Sequence, residues 1–307
     1  MPELPDIEIL GLGVAVRDMA VWVDHHPAAD EKLPAFDFRE TGGGPVATAL
    51  TTLSGWGRRC AFAGLVGDDR SGRFVRDAFV AAGVNVAGLV LSAGAETPAS
   101  IILVTGEHRT ICEWRQEIVP LPAAELARVG AAFDRCRCLL VDGRMPEAQV
   151  EAATRVRAGG GFVVLDAGKP RPGVDALLPL TDVAILSGDY HQKLADGTTP
   201  DEFLAALVAR LAPDGLKIAG LTLGPAGCVI RSADTEPTRF PGHRVEVEDT
   251  TGAGDVFHAG FAEALLDGAD LATAARFANA AAALKCRGRT GRPPMPGPAE
   301  IRRFAGL

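Results

Sequence analysis

Asp249-Thr250-Thr251-Gly252-Ala253-Gly254-Asp255-Val256-Phe257 brackets a run of small residues between two acids. Phe257, Phe261 and Leu265 follow at i, i+4 and i+8, so a helix opening here carries one apolar face. Asp267-Gly268 supplies its stop. Gly252 and Gly254 permit a tight turn, and the first amides of a helix lack intrahelical partners. Those donors and the positive end of the helix dipole make a socket for an anion such as phosphate. A carboxylate at its mouth, Asp255, repels phosphate unless it has a task, such as taking a proton from an attacking hydroxyl. The residues alone also allow a plain capped turn.

The whole nine-residue stretch resembles the C-terminal signature of the ribokinase-like (PfkB) sugar kinases. The resemblance implies that the amides of Gly252, Ala253 and Gly254 form an anion hole for the transferred phosphoryl group and that Asp255 is the base.

The 307 residues suffice for one large α/β domain or two smaller ones, with 47% hydrophobic and 23% charged residues. A net charge of −8 argues against a general nucleic-acid or anionic-membrane binder, though not against a local basic pocket. No segment approaches the roughly 18 uninterrupted apolar residues of a membrane helix. Met-Pro-Glu-Leu-Pro-Asp has no basic region followed by an apolar one, so no signal peptide is expected. The six cysteines (60, 112, 136, 138, 228 and 286) form no Cys-x-x-Cys pair, and reduced thiols in a cytoplasmic protein are the expectation.

Residues 7–14 read as a buried strand ending in glycines. Gly11-Leu12-Gly13 lacks the third glycine of a dinucleotide fingerprint. Short, partly alternating runs at 20–24 and 36–40 read as half-exposed strands. Gly42-Gly43-Gly44-Pro45 leads into a small-residue helix ending near Ser54-Gly55. Alternating runs from Ala99 to Thr105 and Arg109 to Trp114 form a hairpin. These four strands can make a small separate sheet, which needs a cover or a partner. After about residue 123 short apolar strands alternate with alanine-rich helical segments, the βαβ rhythm of a parallel sheet covered on both faces. Ligands collect beyond the carboxyl ends of such strands, where Asp142, Arg144, Asp166, Lys169 and Ser187 fall. Arg292-Pro293-Pro294-Met295-Pro296 reads as a stiff surface segment.

The resemblance runs from residue 1 to about 292. It implies a single α/β kinase domain over 1–307, its central, mostly parallel sheet flanked by helices, with a small β-sheet lid from about 15–40 and 97–118. It implies ATP and Mg²⁺ as cofactors and a small-molecule sugar substrate; the net charge leaves neither nucleic acid nor membrane as partner, and the exposed face of the lid predicts a homodimer through it. Sugar contacts carried over are Asp18, Gly42, Gly43 and Gly44, with Arg109, Glu113 and Arg144 beside them. ATP contacts are Lys169, Ser187, Thr222, Gly224, Gly227 and Asn279. Asn279, mid-helix among alanines, has a local hydrogen bond as its alternative. Relatives hold a monovalent cation such as K⁺ around this loop, which would fall to Asp249 and Thr251. The common Asn-x-x-Glu motif for magnesium is replaced by Ser187-Gly188-Asp189-Tyr190, leaving Asp189 as a helper.

Two subgroups are nearest. Ketohexokinases share Arg109-Thr110-Ile111, Gly143-Arg144 and Lys169-Pro170-Arg171. Sulfofructose kinases share Gly42 to Pro45, Asp249 to His258 and Ala281 to Cys286, and there Arg144 takes the place of a sulfonate-binding arginine. The usual asparagines after the glycine pair are absent, so plain ribose is disfavoured and 6-deoxy-6-sulfofructose is the expected acceptor. Glu113 disagrees, because a carboxylate repels a sulfonate unless Arg115 or Arg144 neutralises it. An uncharged ketose is the alternative, and a non-catalytic sugar or nucleotide sensor on the same fold is the other.

Overall fold

The structure is a computed structural model describing residues 6–106, 108–114, 118–194 and 197–307. Its centre is a nine-stranded sheet. In chain order its strands are β1 (Ile9–Leu12), β4 (Cys60–Gly67), β5 (Asn85–Ser92), β8 (Cys138–Val141), β9 (Phe162–Ala167), β10 (Val183–Ser187), β11 (Ile218–Thr222), β12 (Cys228–Ser232) and β13 (Thr238–Phe240). The spatial order is β13-β12-β11-β10-β9-β8-β1-β4-β5. From β11 to β5 all neighbours are parallel, and β12 and β13 add an antiparallel edge.

Successive residues of the inner strands face opposite sides and both sides are buried, hence their continuous apolar character. On one side Ile9, Leu140, Val164 and Ile185 pack against α1 (Pro45–Gly55), α2 (Arg70–Ala81), α9 (Ala253–Leu266), α10 (Leu271–Lys285) and α11 (Pro298–Ala305). On the other Leu10, Leu139, Val163 and Ala184 meet the remaining helices. These are α3 (Ala123–Arg128), α4 (Gly130–Phe133), α5 (Pro146–Ala158), α6 (Pro172–Leu177), α7 (Gly188–Leu194) and α8 (Pro200–Leu211). Gly11 shows how close the packing is: a Cβ there would lie 2.4 Å from a Leu50 methyl of α1.

The α9 helix differs from the single apolar stripe expected of it. Residues 256–264 are buried all round, Leu265 is only partly so, and Phe257 stacks on Phe261 with centroids 6.1 Å apart. A helix apolar on every side is a core helix; here it lies against the sheet, α1 and α10. Its stop is as expected, with Asp267 as cap and Gly268 in the left-handed region at φ 76°.

The remaining strands, β2 (Val16–Trp22), β3 (Asp37–Gly43), β6 (Ala99–Thr105) and β7 (His108–Trp114), form a separate sheet ordered β3-β2-β6-β7. It is mixed: β2 pairs antiparallel with β3 and parallel with β6, while β6 and β7 make the expected hairpin. Ala20, Trp22, Ile102 and Val104 give it a small core. Phe38, Ile101 and Trp114, on the opposite face by strand alternation, are more than half exposed.

Candidate active site

The two sheets meet over a cavity of about 210 Å³. Asp18, Arg109, Glu113, Arg144, Gly252 and Asp255 all line it, so the groups separated by over two hundred residues in sequence share one space. Of the glycines after β3, Gly44 reaches the wall. Gly43 lies against Asp18, and a Cβ there would overlap the Asp18 carboxylate at 2.0 Å. Gly44 has φ 99°, and a Cβ would sit 2.1 Å from the Val14 carbonyl; that position takes glycine only.

At the floor, Gly252 (φ 78°) caps α9, and its missing side chain accommodates the Gly291 carbonyl, 2.6 Å from where a Cβ would stand. The Gly254 Cα faces open space. Among the described residues, the amides of Gly252, Gly254 and Asp255 donate to no protein group, whereas Ala253 N–H donates to the Thr250 carbonyl at 3.2 Å. The expected trio therefore changes: Ala253 is committed to the turn, and Asp255's own amide joins the available donors.

The Asp255 carboxyl is unusual. Removal from water, then the nearby Asp166 carboxylate, push its pKa up from 3.8 to about 7, with His258 and Arg292 opposing. His258, one turn further along α9, was not singled out from the sequence. Its Nδ1 lies 2.8 Å from the Gly254 carbonyl and 3.2 Å from Asp166 Oδ2, and its Nε2 lies 3.1 Å from the Ile185 carbonyl. It ties the helix start to the ends of β9 and β10.

Arg292 is the second omission. The tail does not lie wholly on the surface as expected, because Arg292 turns inward. Its guanidinium donates to the Gly43 carbonyl (3.1 Å) and Thr48 Oγ1 (3.3 Å) and covers the Phe79 ring. Burial lowers its pKa to about 10, opposed by the Asp18 and Asp255 charges. Proline-rich flanks hid a charged side chain that serves the interior.

The lid contributes by register. Asp18 pairs with Ser100 across β2–β6, and Ser100 with Glu113 across β6–β7, so the three stand in one row facing the cavity. Burial raises the Asp18 pKa to about 6; the Ser100 hydrogen bond opposes the shift and Glu113 adds to it. Arg109 reaches from β7 to donate to Thr250 Oγ1, a strut between lid and floor. Arg144 follows β8, where the buried Asp142 carboxylate accepts from the amides of Arg144 and Val14, both at 3.0 Å. Arg115, expected as a neutraliser of Glu113, lies outside the described residues.

Ser187 and Thr222 end β10 and β11, and Lys169, Gly224 and Gly227 follow β9 and β11; none of the five lines the lid cavity. Ser187 is paired with Thr222 and donates to the Gly168 carbonyl at 2.7 Å. Gly227 (φ 91°) passes under Phe240. Asn279 is buried, its amide donating to the Phe240 and Pro241 carbonyls, so it braces that chain segment. Asp189 is exposed in the first turn of α7. Among the described residues no three His, Cys, Asp or Glu cluster as a metal cage.

The loop assigned to a monovalent cation is held otherwise. Asp249 Oδ1 accepts from Thr251 N–H (2.7 Å) and Oδ2 from Thr290 N–H (3.0 Å). The Asp249 carbonyl, the main-chain oxygen that a cation held by Asp249 would meet, accepts from the ammonium of Lys285 at 2.7 Å. Thr251 Oγ1 is buried without a partner among the described residues. That hydroxyl would suit a cation, but a second positive charge on the carbonyl already held by Lys285 would be repelled. The residues do not fit potassium at Asp249.

Comparison with known proteins agrees with this geometry. Mouse ketohexokinase is 27% identical over 296 residues, covering 91% of this chain and 96% of the relative. A ribokinase of Haemophilus influenzae is 26% identical over 286 residues, covering 89% and 90%. The structure of Arabidopsis thaliana ribokinase complexed with ribose and ATP superposes with a TM-score of 0.80 at 22% identity, over 98% of this chain and 99% of that one. The pattern described as pfkB family carbohydrate kinase matches residues 7–297, nearly the full length. Matched over nearly its full length, the chain belongs to the pfkB family of carbohydrate kinases and is a sugar phosphotransferase.

Proposed function

We propose that this kinase transfers the γ-phosphoryl group of ATP to a primary hydroxyl of a ketose or sulfo-ketose, with 6-deoxy-6-sulfofructose as the favoured acceptor. One observation carries the catalytic part: Asp255, its pKa raised to about 7, stands at the amide socket and faces the lid row across a single cavity. A general base works best when its pKa lies near the working pH. Asp255 takes the proton of the acceptor hydroxyl as the oxygen bonds to phosphorus and ADP departs. Charge on the transferring group is met by the free amides of Gly252, Gly254 and Asp255, the dipole of α9 and Arg109. Asp18 and Gly44, both in the cavity wall, hold the sugar hydroxyls, with Gly42 and Gly43 giving room to the Arg292 and Asp18 side chains.

ATP would lie along the ends of β9 to β11, contacting Lys169, Ser187, Thr222, Gly224 and Gly227, with Asn279 shaping the adenine end by fixing residues 240–241. Exposed Asp189 would assist in holding Mg²⁺ brought with ATP, which would supply charge neutralisation at the phosphates. Potassium has no part in this reading.

Arg144, in the cavity wall, supports a sulfonate: its planar fork suits a multi-oxygen anion. Glu113, in the same wall, favours a second reading in which an uncharged ketose is gripped by its hydroxyls. ADP release from MgATP, measured separately with sulfofructose, fructose, fructose 6-phosphate, ribose, tagatose and 2-keto-3-deoxygluconate, decides between them. Sulfofructose preference is expected; preference for fructose or tagatose would move the acceptor to the ketohexokinase type. ATP binding without transfer to any sugar would mark a sensor.

The exposed apolar face bearing Phe38, Ile101 and Trp114 supports a homodimer through the lid. Size-exclusion chromatography with light scattering should give twice the chain mass, and a monomer at all concentrations would refute it. No helix among the described residues is long and apolar enough to cross a membrane. A cytoplasmic site accords with the absence of any disulfide among the six cysteines, all of them free thiols.

A further inference from the structure

Lys285, the last residue of α10, is 0% exposed, one of the largest fully buried side chains of the protein. A buried ammonium is costly unless compensated: burial lowers the Lys285 pKa, and the neighbouring Asp249 and Asp255 charges oppose that shift. Its Nζ meets the Asp249 carbonyl at 2.7 Å, at the base of the loop that turns into the socket amides. The same stretch is tied to the segment that ends α10 by three further bonds: the amides of Glu248 and Asp249 donate to the Cys286 carbonyl (2.8 and 3.2 Å), and Thr290 N–H donates to the Asp249 carboxylate (3.0 Å). Thr251 and Gly252, the next residues, line the reaction cavity.

We infer that the Lys285 ammonium is a built-in cation that replaces a bound monovalent metal beneath the anion socket, making this kinase independent of potassium. The inference rests on the socket reading of residues 252–255. Lys285 is a positioning residue: its bond fixes the Asp249-Thr250 peptide, two residues before the Gly252 cap, and so steadies the turn that aims the amides, while its charge is felt at Asp255. An inorganic ion would have to share the Asp249 carbonyl with this ammonium.

The test compares chloride salts of K⁺, Na⁺ and tetramethylammonium at equal ionic strength, the last being too bulky to enter a carbonyl cage. For the native protein, both melting temperature and turnover should be the same in all three. A K⁺-specific rise in either would overturn the proposal. Melting needs no substrate, so this arm stands even if no tested sugar is phosphorylated, an outcome that would count against the kinase reading instead. Lys285→Ala opens space at the carbonyl. In tetramethylammonium its kcat should fall by about ten-fold or more, the scale of losing support for one socket donor, with KM for ATP changing less. Potassium or ammonium chloride should restore much of that loss and raise the variant's melting temperature, which a residue acting only through packing would not permit. Loss without ion rescue, or a Lys285→Ala variant that keeps full turnover in tetramethylammonium, would contradict the inference. Should Lys285→Ala not fold, the ion comparison on the native protein decides alone.

Discussion

The two walls of the cavity are built on different principles. The floor is backbone: α9 is buried all round, its first turn is fixed by Gly252, by the His258 bridge to β9 and β10, and by the Asp249–Lys285–Thr290 framework. The roof is side chains on a four-stranded sheet with a small core, one outward face left exposed, and a row of Asp18, Ser100 and Glu113 set by strand register. Backbone amides and a helix dipole cannot be altered without moving the chain, and they serve the phosphoryl group common to all acceptors. Side chains on a register row can be exchanged singly, and they face the part of the substrate that varies. On the proposed reading the transfer chemistry sits in the floor, and the roof shares the choice of acceptor with Arg144, which follows β8 of the main sheet.

Substituting the floor should therefore cost more than substituting the roof. Gly252→Ala forces a side chain into the left-handed region and to within 2.6 Å of the Gly291 carbonyl. Turnover should fall by roughly 10²-fold or more as the socket distorts, with a loss of about 1–2 kcal/mol in unfolding free energy. Steady-state ADP release and chemical denaturation check both, and a variant of native activity would mean the socket is not rigid.

In the roof, Asp18→Asn should raise the sugar KM by roughly 10-fold, the scale of a hydrogen bond to a charged group, with little change in kcat. It should also stabilise the apo protein. The folded pKa of Asp18, about 6, exceeds its ordinary 3.8, so the native state prefers the protonated form. Relative stability from this group is present below the ordinary value and is lost as pH rises through about 6. At pH 8 the neutral amide should gain about 1–3 kcal/mol, and at pH 3 nothing. Melting curves at the two pH values test the sign.

Arg292 spans both walls. Arg292→Gln removes a positive charge that lowers the pKa of both Asp18 and Asp255. The acidic limb of the kcat/KM profile should move upward by several tenths of a unit; no movement would place the guanidinium's effect in packing on Phe79 alone. Thr250→Val, the smallest change, severs the Arg109 strut. The expected outcome is a two- to five-fold rise in KM, from about 0.5–1 kcal/mol for one partly exposed bond, with kcat unchanged. A larger fall in kcat than in binding would mean that Arg109 acts on the phosphoryl group only while braced by Thr250.

The same division explains what could be read in advance. The floor was legible because its information is local: consecutive glycines, an acid and an apolar helix stand within about nine residues. The alternation of apolar strands and alanine-rich helices likewise announced the parallel sheet, and the hairpin of β6 and β7 announced the lid. What escaped depends on residues distant in sequence. Arg292 sits among prolines that imply a surface, yet folds back on Gly43. Lys285 closes a helix, where a lysine ordinarily meets solvent, yet points at Asp249. His258 looked like part of a motif rather than a bridge to Asp166. Ala253 was read as a free donor because its turn bond to Thr250 depends on dihedral angles that glycine spacing does not specify. The Glu113–Asp18 proximity needs strand register, which no single strand encodes.

The central claim is that Asp255 is the base of a phosphoryl transfer, and its most direct test is the pH dependence of kcat/KM for ADP release, in the native protein and in Asp255→Asn. For the native enzyme the rate should rise with pH and level off above about 7, because the carboxylate must be unprotonated to accept the hydroxyl proton and its pKa is raised to that value. The asparagine variant should bind ATP unchanged, lose roughly 10²–10⁴ in turnover and show no inflection near 7. A variant that keeps native turnover, or keeps the same inflection, would remove Asp255 from the chemistry.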